Sequence, residues 1–191
     1  MSVELIEAVE AGDIAQVKNI LSTGASANCR NDDGATILMI ASHTGNLPMV
    51  KMLLEQGAQV NLGDEQGWAP LMKSVYNFDM QHGHAEVTQA LIDAGANFEA
   101  PIGYGVRPLM LAAGYGETDV VEVLLEAGAE VTAKNEGGLT ALMMVKQKHY
   151  IDVINLLHQA EQLAGVGEGS CSNKNAPGSN VDTFLKPDST S

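Results

Sequence analysis

The stretch Gly105-Val-Arg-Pro-Leu-Met-Leu-Ala-Ala-Gly-Tyr-Gly116, continued by Val120-Val-Glu-Val-Leu-Leu-Glu-Ala-Gly-Ala129, decides the fold of this chain. Pro108 suits a first helical turn, where no N–H partner is lost. Leu109, Met110 and the alanines after them give a short apolar helix that Gly116 interrupts. Leu124-Leu125 supplies the apolar stripe of a second helix, and Gly128 ends it with a residue that tolerates the left-handed conformation.

The same pattern recurs up and down the chain. Gly34 and Gly67 lie 33 residues apart, as do Gly105 and Gly138, while Gly67 to Gly105 is 38, one period plus five. The pairs Gly12/Gly24, Gly45/Gly57, Gly83/Gly95 and Gly116/Gly128 form a second ladder, each separated by 12. Ala25, Ala58, Ala96 and Ala129 follow the second glycine every time. Self-similarity of this period marks a stacked repeat architecture.

Aligned on the first ladder, the chain reads Gly34-Ala-Thr-Ile-Leu-Met, Gly67-Trp-Ala-Pro-Leu-Met, Gly105-Val-Arg-Pro-Leu-Met and Gly138-Leu-Thr-Ala-Leu-Met. This closely resembles the ankyrin repeat, whose Thr-Pro-Leu-His opens the first helix of a 33-residue unit. The resemblance spans about residues 3–163 and implies an all-α solenoid of helix-turn-helix units joined by β-turn fingers. Thr36 and Thr140 are expected to cap helices through their hydroxyls. Leu38, Leu71, Leu109 and Leu142 are expected in the core. Where the family usually has histidine, this chain has Met39, Met72, Met110 and Met143. A soft-metal or haem ligand set is one reading of that stripe, and core filling by flexible thioethers is the better one. Losing the histidine also removes a hydrogen bond that normally braces the loop.

One domain over 1–164 is expected, with an N-terminal cap at 1–30, repeats at 31–63, 64–101 and 102–134, and a C-terminal cap at 135–164. The first unit has helices near 3–11 and 14–22, with Glu4, Glu7 and Glu10 as an outer charged face. The last helix, Ile151–Ala164, carries Asp152, Asn155, His158 and Gln159 as polar cover, as a terminal repeat requires. Residues 165–191 turn to Gly, Ser, Asn, Pro and Asp and are expected to be a disordered tail. Phe184-Leu185 within it is either a short docking motif or inert.

Chemistry is sparse. The formal net charge of −14, with 10 basic residues against 24 acidic, argues against phosphate neutralisation and hence against nucleic acid. Cys29 and Cys171 make neither a disulfide framework nor a four-ligand zinc site. No stretch approaches the roughly 18 apolar residues of a membrane span, and no secretory leader opens the chain. A cytoplasmic monomer is therefore expected. The five extra residues fall within Asn77-Phe-Asp-Met-Gln-His, where His82 and His84, near Asp79 and Glu86, lack a third ligand at fixed helical spacing. His43, His149 and His158 are scattered with no nucleophile motif beside them. No catalytic residue, metal or cofactor is expected.

The resemblance places the binding surface on the concave side, made by the fingers and the ends of the first helices. Of eight aromatics, Trp68, Tyr76, Phe78, Tyr104 and Tyr115 map to that surface or to the insertion in repeats two and three. They are either interface anchors or packing for neighbouring fingers. Around them, Asp32, Asp33, Glu65, Gln66 and Arg107 complete the expected protein-binding set. An aromatic centre with an acidic rim suits a partner whose hydrophobic patch is bordered by Lys or Arg. An adaptor or regulator fits this best. A bacterial effector acting on a host protein is the alternative, since the Ala-Leu-Met style resembles bacterial ankyrin proteins, and a metal protein or enzyme comes last.

Overall fold

A computed structural model describes residues 2–75 and 82–165. The expected disordered tail beyond Gly165, the Phe184-Leu185 motif, and the insertion residues Tyr76, Phe78 and Asp79 lie outside the described residues.

Each helix is short, and its ends are written into the sequence. Helix α1 (Ser2–Glu10) is followed by α2 (Ile14–Ser22), whose Asp13 carboxylate accepts the Gln16 N–H at 2.9 Å. Helix α3 (Ile37–His43) starts at Thr36, whose hydroxyl accepts the Met39 N–H at 3.2 Å. Asn46 caps α4 (Leu47–Glu55) through the Met49 N–H. Pro70 opens α5 (Pro70–Val75), and Pro108 opens α7 (Pro108–Tyr115), which Gly116 ends with a left-handed backbone. Between them lies α6 (Ala85–Asp93), and α8 (Thr118–Glu126) follows α7. Thr140 caps α9 (Ala141–Val145) through the Met143 N–H, and α10 (Ile151–Leu163) completes the series. Both expected threonine caps are present. The last helix stops one residue short of its expected end.

Helices of five to nine residues are marginal alone, so stacking holds them. The first helices pack side by side, α1 on α3, α3 on α5, α5 on α7 and α7 on α9. The second helices form a parallel layer, α2 on α4, α4 on α6, α6 on α8 and α8 on α10. The core lies between the layers: Leu38, Leu71, Leu109 and Leu142 from one, Leu53, Leu91, Leu124 and Leu157 from the other, all buried. Met39, Met72 and Met110 are buried as fillers, but Met143 is 48% exposed. Met39 also replaces the missing histidine locally, because its sulfur accepts the Thr36 N–H at 3.4 Å.

Two further ladders tie one unit to the next. The Asn28 side-chain Oδ1 accepts the Gln59 N–H at 2.7 Å, and the Asn61 side chain accepts the Asn97 N–H at 2.8 Å while donating to the Gly95 carbonyl. The residue heading each second helix packs on the preceding hairpin. His84 lies against Gly45 so closely that a Cβ there would sit 2.4 Å from its Nδ1, and Tyr150 covers Gly116 in the same way. Only glycine permits both the approach and the left-handed φ.

Candidate partner-binding surface

The surface is built on four fingers, at 31–35, 64–68, 102–106 and 135–139. Three are closed by one device. Asn31, Asp64 and Asn135 each donate a backbone N–H across the turn and accept the returning N–H of Ala35, Trp68 or Leu139 on a side-chain oxygen, at 2.8–3.0 Å. Local side-chain bonding of this kind fixes a turn without neighbours. Arg30 extends the bracing across repeats, donating to the Gly34 carbonyl and, at 2.8 Å, to that of Gly63.

The third finger departs from this plan because Ile102 has no side-chain acceptor. Its turn is a tight 3₁₀ segment, Gly103–Gly105, with Tyr104 at φ 62°. Tyr104 is the one non-glycine residue with positive φ among the described residues. That backbone costs about 1–2 kcal/mol for a residue with a Cβ. Its carbonyl accepts the Glu136 N–H at 3.0 Å, which ties the turn to the fourth finger. The ring is 81% exposed at the tip.

The other expected site residues divide into two groups. Tyr115 ends α7 and is 38% exposed. Asp32, Asp33, Glu65 and Gln66 are exposed on the first two fingers. Trp68 is half-buried instead, with the Lys73 ammonium 4.7 Å above its ring, a cation–π contact. Arg107 is half-buried as well. Its guanidinium bonds Glu99 at 2.7 Å and Glu130 at 3.2 Å, while Glu99 accepts the Glu130 N–H at 2.8 Å. Glu99 stands in register with Asn28 and Asn61, so this cluster continues the inter-repeat ladder with a charged group. Arg107 is thereby held by repeat-to-repeat bonding. Tyr76 and Phe78 lie outside the described residues.

Beside the insertion, His84 donates from Nε2 to the His43 carbonyl at 3.0 Å, and the His82 ring stands edge-on to it at 4.9 Å. Burial pushes the His84 pKa below its usual value, against the raising effect of that carbonyl, and the neighbouring His82 and His43 add to the lowering. Among the described residues, no group of three or more His, Cys, Asp or Glu side chains is placed to hold a metal ion. Burial raises the Cys29 thiol above its ordinary value. Among the same residues, no helix is long and apolar enough to cross a membrane.

The aromatic pattern announced Tyr104 and Tyr115. Trp68 follows its ladder glycine, in register with Ala35, Val106 and Leu139, whereas Tyr104 precedes Gly105, and the side chain over the Trp68 ring, Lys73, comes from its own repeat. The profile of ankyrin repeats (3 copies) matches residues 5–102 and 78–166. No curated protein matches the chain. Ankyrin repeats generally mediate protein–protein interaction. With helix hairpins, β-turn fingers and a profile match over most of its length, the chain belongs to the ankyrin-repeat family.

Proposed function

We propose that this chain is a non-catalytic adaptor or regulator, working in the cytoplasm, that captures a partner protein on the concave face of repeats two and three. One observation carries the reading. Among the described residues of 31–134, Tyr104 and Tyr115 are the large apolar side chains that stand exposed. Both lie in repeat three, on the finger and at the end of the first helix. Tyrosines in such settings are frequent energetic anchors of interfaces. The exposed Asp32, Asp33 and Glu65 supply an acidic rim, which favours a partner with a hydrophobic patch bordered by Lys or Arg. Half-buried Trp68, with Lys73 over its ring, completes the second finger of that face, and Arg107 acts by bonding Glu99 and Glu130 beside the third. Each anchor of this kind is worth about 2 kcal/mol or more in binding. The test is the Trp68→Ala/Tyr104→Ala double variant. It is expected to lose an authenticated partner at least about tenfold, with the Tyr104 change alone leaving the melting curve nearly in place. Retention of wild-type affinity by the double variant would sink the reading.

A further inference from the structure

Six of the eight exposed large apolar residues, among those described, lie in the two end units. They are Val3 at one end, and Leu139, Met143, Tyr150, Ile151 and Leu163 at the other. The repeat register says what these surfaces are. Met143 stands where Met39, Met72 and Met110 are buried, and Lys146 stands where Ser42, Val75 and Ala113 are each 0% exposed. Within the chain, the first helices that carry those positions pack against the first helix of the unit that follows. Asp152, Asn155, His158 and Gln159 make part of the last unit polar, but Leu139, Met143 and Ile151 keep the apolar character of an internal stacking face. At the opposite end, Glu4 stands where Ile37, Pro70, Pro108 and Ala141 are buried. Glu7, also exposed, follows it on α1 beside the exposed Val3. One end thus presents several apolar side chains with a lysine, the other Val3 among glutamates.

We propose that these two ends are the halves of one interface, through which a second copy of this chain stacks head to tail. The N-terminal end of one molecule takes the place of the missing next unit on the C-terminal end of another. Charge complementarity between the two ends supports this pairing, as does the repeat geometry, which already joins first helices side by side within one molecule. Opposite charges placed at two ends of the same stack favour one orientation and disfavour like ends meeting. Such an interface is heterologous and does not close on itself, so it yields short linear assemblies. The net charge of −14 works against it, which makes the contact weak and reversible. Leu139 lies on the fourth finger, and the rest of this surface is separate from the face of repeats two and three proposed to hold the partner.

Sedimentation velocity of the full chain over a range of concentrations tests the idea. The wild type is expected to associate as concentration rises. Lys146→Glu should weaken association at least about fivefold, and Glu4→Lys/Glu7→Lys should weaken it too, although it lowers the net negative charge. Joining all three substitutions should restore association, because the charges are exchanged across the interface. Thermal melts establish that each variant is folded. The methyl resonance of Met143 should move with concentration in the wild type and stay fixed in Lys146→Glu. A concentration-independent wild type overturns the proposal. So does stronger association of Glu4→Lys/Glu7→Lys, which would mean that overall repulsion alone governs the chain. A Met143 methyl already shielded at the lowest concentration also overturns it, since a segment of the same molecule would then cover the face.

Discussion

Tyr104 holds a left-handed backbone between two glycines, and the Glu136 N–H on its carbonyl keeps it there. Glycine would relieve the strain, so Tyr104→Gly is expected to raise stability by up to about 1 kcal/mol in a urea melt. The same change should weaken partner binding as much as alanine does. A variant that is more stable and less functional would mark the strain as a cost of presenting the ring. His84 gives a second residue-scale expectation. Its folded pKa lies below the unfolded one because burial, with His82 and His43 nearby, penalises the cation. The unfolded chain therefore binds the proton more readily, and stability falls as pH drops below the usual histidine value toward the lowered one. His84→Asn should flatten that slope, while keeping a residue able to cap α6 as Asn46 caps α4. Melts between about pH 7 and pH 5 compare the two, and an unchanged slope would remove His84 as its source.

At the scale of elements, the helices owe little to their own length and much to the hairpin beside them. Gly45 and Gly24 separate the two contributions. Both have positive φ, but a Cβ at Gly45 meets the His84 ring, whereas one at Gly24 meets nothing within 4 Å. Gly24→Ala should therefore cost only the backbone strain, about 1 kcal/mol. Gly45→Ala adds a steric clash between repeats and should cost about 2 kcal/mol or more by chemical denaturation. Equal losses at the two sites would show that the His84 contact contributes nothing to stacking. The glycine ladder was legible because every repeat shows it. The side chain meeting each glycine was not, since Asn46, His84, Glu117 and Tyr150 share a register but no chemistry.

Over the whole molecule, the proposed function divides recognition between the acidic charge and the exposed tyrosines. In that proposal long-range attraction sets the rate of encounter with a basic-rimmed partner, and the apolar anchors set the lifetime of the complex. Raising salt is expected to slow association with little change in dissociation, as stopped-flow kinetics would record. An on-rate independent of ionic strength would remove the acidic rim from the account. In the proposed stack the end charges meet at close range, so the glutamates that solubilise α1 also serve the contact with Lys146.

The sequence by itself determined the repeat, its period, the helix starts at Thr36, Pro70, Pro108 and Thr140, and the leucines of the core. Each of these is a local choice, made by a capping oxygen, a missing N–H or an apolar side chain at helical spacing. Tertiary structure alone decided which aromatic stands in water. Trp68 and Tyr104 both lie on fingers, yet Lys73 packs over one ring while the Glu136 N–H fixes only the backbone that carries the other. It also decided that Met143, identical in sequence to three buried methionines, is half exposed. The physical reason is common to both: burial in a stack belongs to the neighbour that covers a residue, and no residue carries its neighbour in its own identity.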